Sequence, residues 1–458
     1  MLAPVINRVL RIAGPKLDGI GLQISAPQGK ELSWLAGGQL VSVFLSLISI
    51  KLITSIGAEE YGKFVLATSV SGLLSLTFFG PMEQGFVRLY FDYRDSEQSR
   101  SVFSNTLLRL LSWSAGVLAV LAVVFILFAH SRLKAGTGFT AAAAIMVLLA
   151  ALNVPLSGMI NAFRLRKEGA IIQVAERSIV IMLVAAIFFR QGLNVTGVIG
   201  CVAFASAVSL LLRFRVYRKA LPGTIPARES AAPDHLRQLR REILQKIAVY
   251  SQPFVLWGIL AWMQSNGERW VINGMLPGAD LGRYGLAASL VNNSVVVVFA
   301  MLTQFMTPII FAKFSTNGST LEGMRLIRLY GWATSVMFLS VGIVLLFAGD
   351  PVIRLISTSQ FTIGGPVLFS LTIGLGAYSV GQSLTQVGLA LRRPEIYIVP
   401  KVVTAVLSVG AYLLGCRWGG IVGVVGAIVF VNMLYLLLVY LANKRFLAAM
   451  PVAPEAAQ

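Results

Sequence analysis

The stretch GAEEYGKFVLATSV at residues 57–70 returns later in the chain as PGADLGRYGLAASL at 277–290. Glu60 matches Asp280, Gly62 matches Gly282, Lys63 matches Arg283, Phe64 matches Tyr284, Ala67 matches Ala287 and Ser69 matches Ser289. Self-similarity at a long fixed period marks a duplicated architecture. Each copy falls between the first and second apolar segments of its half, so the halves run in the same direction. They are predicted to be parallel repeats related by an axis along a membrane normal. Glycine at 62 and 282 suits a tight turn out of the membrane and close packing of the next helix.

Composition says what surrounds the repeat. Of 458 residues 56% are hydrophobic and only 12% are charged, against roughly 25% charged in a soluble domain. Mean hydropathy is +0.78, and a soluble enzyme is excluded. A helix needs about 20 mainly apolar residues to cross a bilayer. Windows free of Asp, Glu, Lys and Arg cover 32–50, 64–82, 110–131, 135–163, 191–212, 247–267, 284–312, 329–349, 355–391 and 418–443. Two more apolar segments are interrupted, 169–189 by Glu176 and Arg177 and 396–416 by Lys401. The expected fold is therefore an all-α polytopic membrane protein, with twelve transmembrane helices in two pseudo-symmetric six-helix lobes. The organisation is an N-terminal segment 1–30, an N-lobe 31–212, a basic linker 213–246, a C-lobe 247–443 and a tail 444–458.

The net charge of +19 follows mostly from orientation, because Lys and Arg concentrate on the cytoplasmic side of membrane spans. Twelve spans with both termini cytoplasmic place most of the basic residues inside, so no nucleic-acid partner is needed to explain them. The opening MLAPVINRVLRIAGPKL interleaves apolar and basic residues and is expected to form an amphipathic helix on the inner leaflet. Cys201, Cys416, His130 and His235 are the only cysteines and histidines. They provide neither a metal cluster nor a Cys/His nucleophile pair.

Three further pieces carry a family likeness: ITSIGAEEYGKFVLATSVSGLLSL, then GPMEQGFVRLYF with Gly80, Gly85 and Arg88, and ERWVINGMLPGADLGRYGLAASL with Glu268 and Arg269 in the second half. Over residues 30–445 the chain resembles the polysaccharide and O-antigen flippases of the multidrug/oligosaccharidyl-lipid/polysaccharide (MOP) exporter superfamily. The resemblance implies two six-helix lobes around a central cavity that opens alternately to the two sides. It implies a cargo of undecaprenyl-pyrophosphate-linked oligosaccharide, a place in the bacterial inner membrane, and work beside a polysaccharide polymerase and export machinery. The superfamily also contains multidrug antiporters.

Ionisable residues inside spans are candidate sites, since their cost has to be offset by a partner, by water or by snorkelling. Lys51 and Arg269 stand at matching ends of the first and seventh predicted spans, with Arg177 and Lys401 within the fifth and eleventh. Arg88 and Arg109 lie near inner span ends. Each has two readings, a cation that binds pyrophosphate oxygens or a side chain that reaches the headgroups. Gln39, Gln264 and Gln382 are candidates for hydrogen bonds to sugar, or alternatively for helix-to-helix bonds. Coupling to a proton or sodium gradient calls for an embedded carboxylate, and Glu83, Glu176 and Glu268 are the candidates; no phosphate-binding loop for ATP is present. A multidrug antiporter is the rival function within the fold. A membrane polymerase or ligase is disfavoured by short outer loops, of which 267–283 is the longest expected.

Overall fold

The computed structural model describes residues 26–93, 95–133, 136–220, 234–316, 320–391 and 393–449. The expected interfacial helix before residue 26, residues 221–233 of the expected linker and the end of the tail lie outside the described residues. Every described element is helical. In chain order they are α1 (Ala26–Ile53), α2 (Ala58–Leu74), a π-helical turn Ser75–Phe79, α3 (Gly80–Tyr93), α4 (Glu97–Leu133), α5 (Thr137–Ala162), α6 (Arg166–Gln191) and α7 (Val195–Ala220). There follow α8 (Asp234–Met275), α9 (Gly278–Val291), a second π-helical turn Asn292–Val296, α10 (Val297–Thr316), α11 (Thr320–Ile356), α12 (Gly365–Leu384), α13 (Gln386–Ala390) and α14 (Ile398–Ala448).

Among the described residues eleven helical stretches are long and apolar enough to cross a membrane, and the chain is a multi-pass membrane protein. The twelfth expected span is hidden in the last stretch, Pro394–Ala448, whose 55 residues would extend about 80 Å at 1.5 Å per residue, more than twice a bilayer core. Gly420, with φ 55° and ψ −135°, breaks it. A side chain is strained in that conformation. Gly415 and Gly423 flank the break, each pressed so closely on the other's carbonyl that neither has room for a Cβ.

The chain divides into two compact units, 1–262 and 263–458. In the first, α5 is the hub, packed against α2, α3, α4 and α7, while α1 packs on α6. In the second, α12 packs against α9, α11 and α14. α5 and α12 are the fourth spans of their halves. Both are rich in Ala or Gly, which lets neighbouring backbones approach. The sequence repeat has a structural counterpart too: α2 and α9 begin at the matching motifs, and each runs into a turn of π-helix.

Several boundaries differ from the expected ones. Residues 213–220 are the end of α7, and 234–246 begin α8, so the basic linker is largely helix. Ile243 and Ile247 are buried in the core of the first unit with Phe86, Phe103 and Tyr217, which explains why the division falls at 262 rather than in 213–246. The expected loop 267–283 shrinks to residues 276–277, because α8 continues through Glu268 and Arg269 to Met275. Charges that end an apolar window do not end a helix whose neighbours solvate them. The turn after the first span is made at Gly57, φ 93°, whereas Gly62 and Gly282 are buried inside helices.

Gly258 of α8 faces the Leu76 carbonyl in the π-turn, with no room for a Cβ, and Trp262 donates to the Ser69 carbonyl at 2.8 Å. Gly258→Val is expected to destabilise the chain by roughly 1–3 kcal/mol through overpacking. Gly37→Ala, where nothing lies near, is the control. Thermal unfolding of the purified chain, followed by intrinsic fluorescence, checks this: the Gly258 variant should melt lower and the control unchanged.

Candidate functional site

Each unit holds its own polar cluster within the membrane-crossing helices. In the first, Glu176 of α6 lies 3.8 Å from the Arg213 guanidinium of α7. The Ser206 hydroxyl donates to Glu176 at 3.4 Å, and Arg213 Nε donates to Ser209 at 3.1 Å. Asn153 of α5 donates to the Ser206 carbonyl at 3.0 Å. Glu83, on α3, is pressed against Gly158 of α5 and interacts electrostatically with Arg213. Two carboxylates thus converge on one guanidinium. Glu176 pairs with Arg213 rather than with adjacent Arg177, which is exposed, as the 100° step between helical neighbours requires.

The second unit is organised around Lys401 of α14, only 1% exposed. An ammonium withdrawn from water has to be solvated by the protein. Its Nζ donates to Gln264 Oε1 of α8 at 2.9 Å and to the Tyr378 hydroxyl of α12 at 3.0 Å. It lies 4.8 Å from the centre of the Tyr378 ring and 5.6 Å from that of Tyr435, within cation–π range. Gln264 is held in turn: its amide donates to Asn432 at 3.1 Å and its carbonyl accepts from Tyr412 at 2.6 Å. Gln382 donates to the Tyr435 hydroxyl at 2.9 Å.

One turn along α8 from Gln264 stands Glu268, 3% exposed. Its Oε1 accepts from the Tyr284 hydroxyl of α9 at 3.1 Å and lies 3.6 Å from Arg269 Nε, too far for a good hydrogen bond. Glu268 Oε2 and Arg269 Nε are both buried without a hydrogen-bond partner. An acceptor and a donor are therefore left open side by side, at a known cost.

The sequence candidates separate accordingly. Gln264, Gln382, Glu268, Arg269 and Lys401 come together in the second unit, and Glu83 and Glu176 in the first. Gln39 accepts from Gln173 of α6 at 3.4 Å, a helix-to-helix contact. Lys51 and Arg88 are exposed, Arg88 beside Asp92 at 3.4 Å, and Arg109 is half-buried. At 1% exposure Lys401 does not snorkel. Sequence reasoning missed Tyr284, Tyr378, Tyr412, Tyr435 and Asn432, as well as Arg213, which was counted as the edge of a linker. The spacing of Tyr378 and Gln382, four apart on one helix face, was the available signal. Among the described residues no group of three His, Cys, Asp or Glu side chains gathers as a metal ion requires.

This arrangement on two helical units defines a class. The backbone is similar to an inward-facing multidrug resistance MATE family transporter of the MOP superfamily (TM-score 0.71, 14% identity, 89% of this chain and 95% of that one). It is also similar to the lipid II flippase MurJ in an inward closed conformation (TM-score 0.70, 12% identity, 90% and 87%). A third likeness is to a MOP superfamily transporter from Pyrococcus furiosus (TM-score 0.64, 15% identity, 94% and 98%). The fold is that of the MOP transporters. Residues 29–314 match the family described as polysaccharide biosynthesis protein, and the chain belongs to that family. No curated protein matches it in sequence.

If protein groups solvate Lys401, cutting it back costs more than replacing its volume. Lys401→Ala leaves a void and unpaired oxygens on Gln264 and Tyr378, an expected loss of about 2–5 kcal/mol. Lys401→Met fills the space without a charge and is expected to lose less. Melting temperatures of the two purified variants should rank Ala below Met; equal values for both variants and the wild type would contradict the cage.

Proposed function

We propose that the chain is a flippase that moves undecaprenyl-pyrophosphate-linked oligosaccharide from the inner to the outer leaflet of the bacterial inner membrane, by alternating access, for O-antigen, capsule or exopolysaccharide synthesis. Both termini are cytoplasmic in this reading, and a polysaccharide polymerase and export machinery receive the product. The family match supports the pathway class. The observation that carries the cargo is the pair of cations, Lys401 and Arg269, beside one carboxylate within the apolar helices of the second unit. Arg269 keeps a buried donor unsatisfied, and a guanidinium fork matches the oxygens of a pyrophosphate. Gln264 and Gln382, already amide donors in that network, are suited to sugar hydroxyls. Lys51, Arg88, Arg109 and Arg177 serve the approach of the anionic headgroup rather than the buried site.

Glu268 favours a second reading, since an embedded carboxylate with an open oxygen is what ion-coupled export of organic cations requires. In the flippase reading the same residue, or Glu176 or Glu83, couples transport to a proton or sodium gradient.

Deleting the gene in its host is expected to trap lipid-linked glycan on the inner leaflet, with Arg269→Ala failing to restore export at normal expression. Surface-polysaccharide blots and lipid-linked glycan extraction check this. Unchanged export on deletion contradicts the flippase reading, full rescue by Arg269→Ala contradicts the site, and efflux of cationic dyes by the wild type favours the antiporter.

A further inference from the structure

Two carboxylates, Glu83 and Glu176, face one guanidinium in the first unit, and they share it unequally. Glu176 lies 3.8 Å from Arg213 and accepts from Ser206 at 3.4 Å. Among the described residues no group hydrogen-bonds to the Glu83 carboxyl or lies within ion-pair distance of it, and Arg213 acts on it only from farther away. Glu83 nevertheless belongs to the membrane-crossing stretch Ala58–Tyr90. An ionised carboxylate left without a close partner there is costly, and the neutral acid much less so.

The position is built for this side chain. At Gly158 of α5 a Cβ would collide with the Glu83 Cγ and Oε1, so the absent side chain makes the room. α3 is fixed beside it, since Ser251 of α8 donates to the Pro81 carbonyl at 2.8 Å and packs on Gly85 with no room for a Cβ. The other ionisable groups on the surrounding elements interact elsewhere. α5 has none, nor has the π-turn. Tyr217 of α7 is held by Ser104 of α4 at 2.8 Å, and Lys246 of α8 by Glu242 at 2.6 Å and Tyr93 at 3.2 Å. Arg88 of α3 stands beside Asp92, Tyr90 packs on Phe163, and Arg109 of α4 interacts electrostatically with Arg240 of α8. A sodium ion at Glu83 would be repelled by Arg213, whereas a proton needs a single oxygen.

We propose that Glu83 holds a proton that the chain exchanges with water, and that Arg213 is the switch. In this structure Arg213 serves Glu176, with its Nε on Ser209 at 3.1 Å, and Glu83 is the neutral acid. When the guanidinium turns to Glu83, the Glu83 O–H bond breaks, the proton passes to water, and Arg213 takes up the new carboxylate while Glu176 keeps Ser206. Glu83 is half-buried rather than sealed, so a proton has a way in and out. The proton site stands on this geometry; that its exchange drives glycan export rests on the flippase reading.

The test is infrared difference spectroscopy on the full chain in nanodiscs, between neutral and alkaline buffer, where surface carboxylates are ionised in both. It reads the carboxylic-acid C=O band and needs no cargo. A band is expected in the wild type that Glu83→Gln lacks. Glu83→Asp, an acid of different frequency, should shift that band rather than abolish it, and serves if the Gln variant does not fold. Glu176→Gln, which releases Arg213, should move the band's titration toward acid by about one pH unit or more. A band untouched by both Glu83 variants, or a titration unmoved by Glu176→Gln, overturns the proposal. In vesicles carrying polyprenyl-pyrophosphate-linked oligosaccharide, an imposed pH gradient should bias glycan transfer by the wild type and not by Glu83→Gln; an equal bias in both overturns the coupling. An intact Glu83 band with no chain-dependent transfer contradicts the flippase reading alone.

Discussion

A charge inside a membrane-crossing helix has to be solvated by its own protein, and that requirement organises both units. In the second unit Gln264 is the keystone: its side-chain oxygen receives Lys401, its amide donates to Asn432, and its main-chain oxygen accepts from Tyr412. Three helical segments, α8 and the two parts of α14 on either side of Gly420, are tied together at one residue. The buried tyrosines then have a physical reason, since a phenol brings a hydroxyl and a π-face to a cation without adding a second charge. A carboxylate in their place would pair the ammonium with an opposite charge.

The first unit meets the same requirement by another route. There Arg213 faces Glu176 and interacts with Glu83, so charge is balanced by charge, with serine hydroxyls on α7 completing the contacts. Duplication gave both units the same hub at the fourth span and the same π-turn after the repeated motif. Divergence then left one unit with an ion-pair cluster and the other with an ammonium held by neutral oxygens.

Much of this was legible in the sequence. Charge-free windows located the spans, because hydrocarbon tolerates little else, and the motif at 57–70 and 277–290 gave the duplication. The windows erred at their ends. Arg213, Glu268 and Arg269 all lie inside helices, because a neighbouring helix can supply what water would. Glu268 and Lys401 were found as charges, but their surroundings were not: Tyr284, Tyr378, Tyr412 and Tyr435 come from three separate helices, and no local spacing brings them together. The break at Gly420 falls three residues past Arg417, the charge that separates the apolar segments 396–416 and 418–443.

The most direct test is reconstitution. The purified chain is placed in vesicles whose polyprenyl-pyrophosphate-linked oligosaccharide is confined to one leaflet, and the glycan appearing on the other is read with an impermeant lectin. Transfer that depends on the chain, and that falls when free pyrophosphate-linked glycan competes, is the expected result. Transfer no faster than in empty vesicles, with export of organic cations intact, would contradict the account.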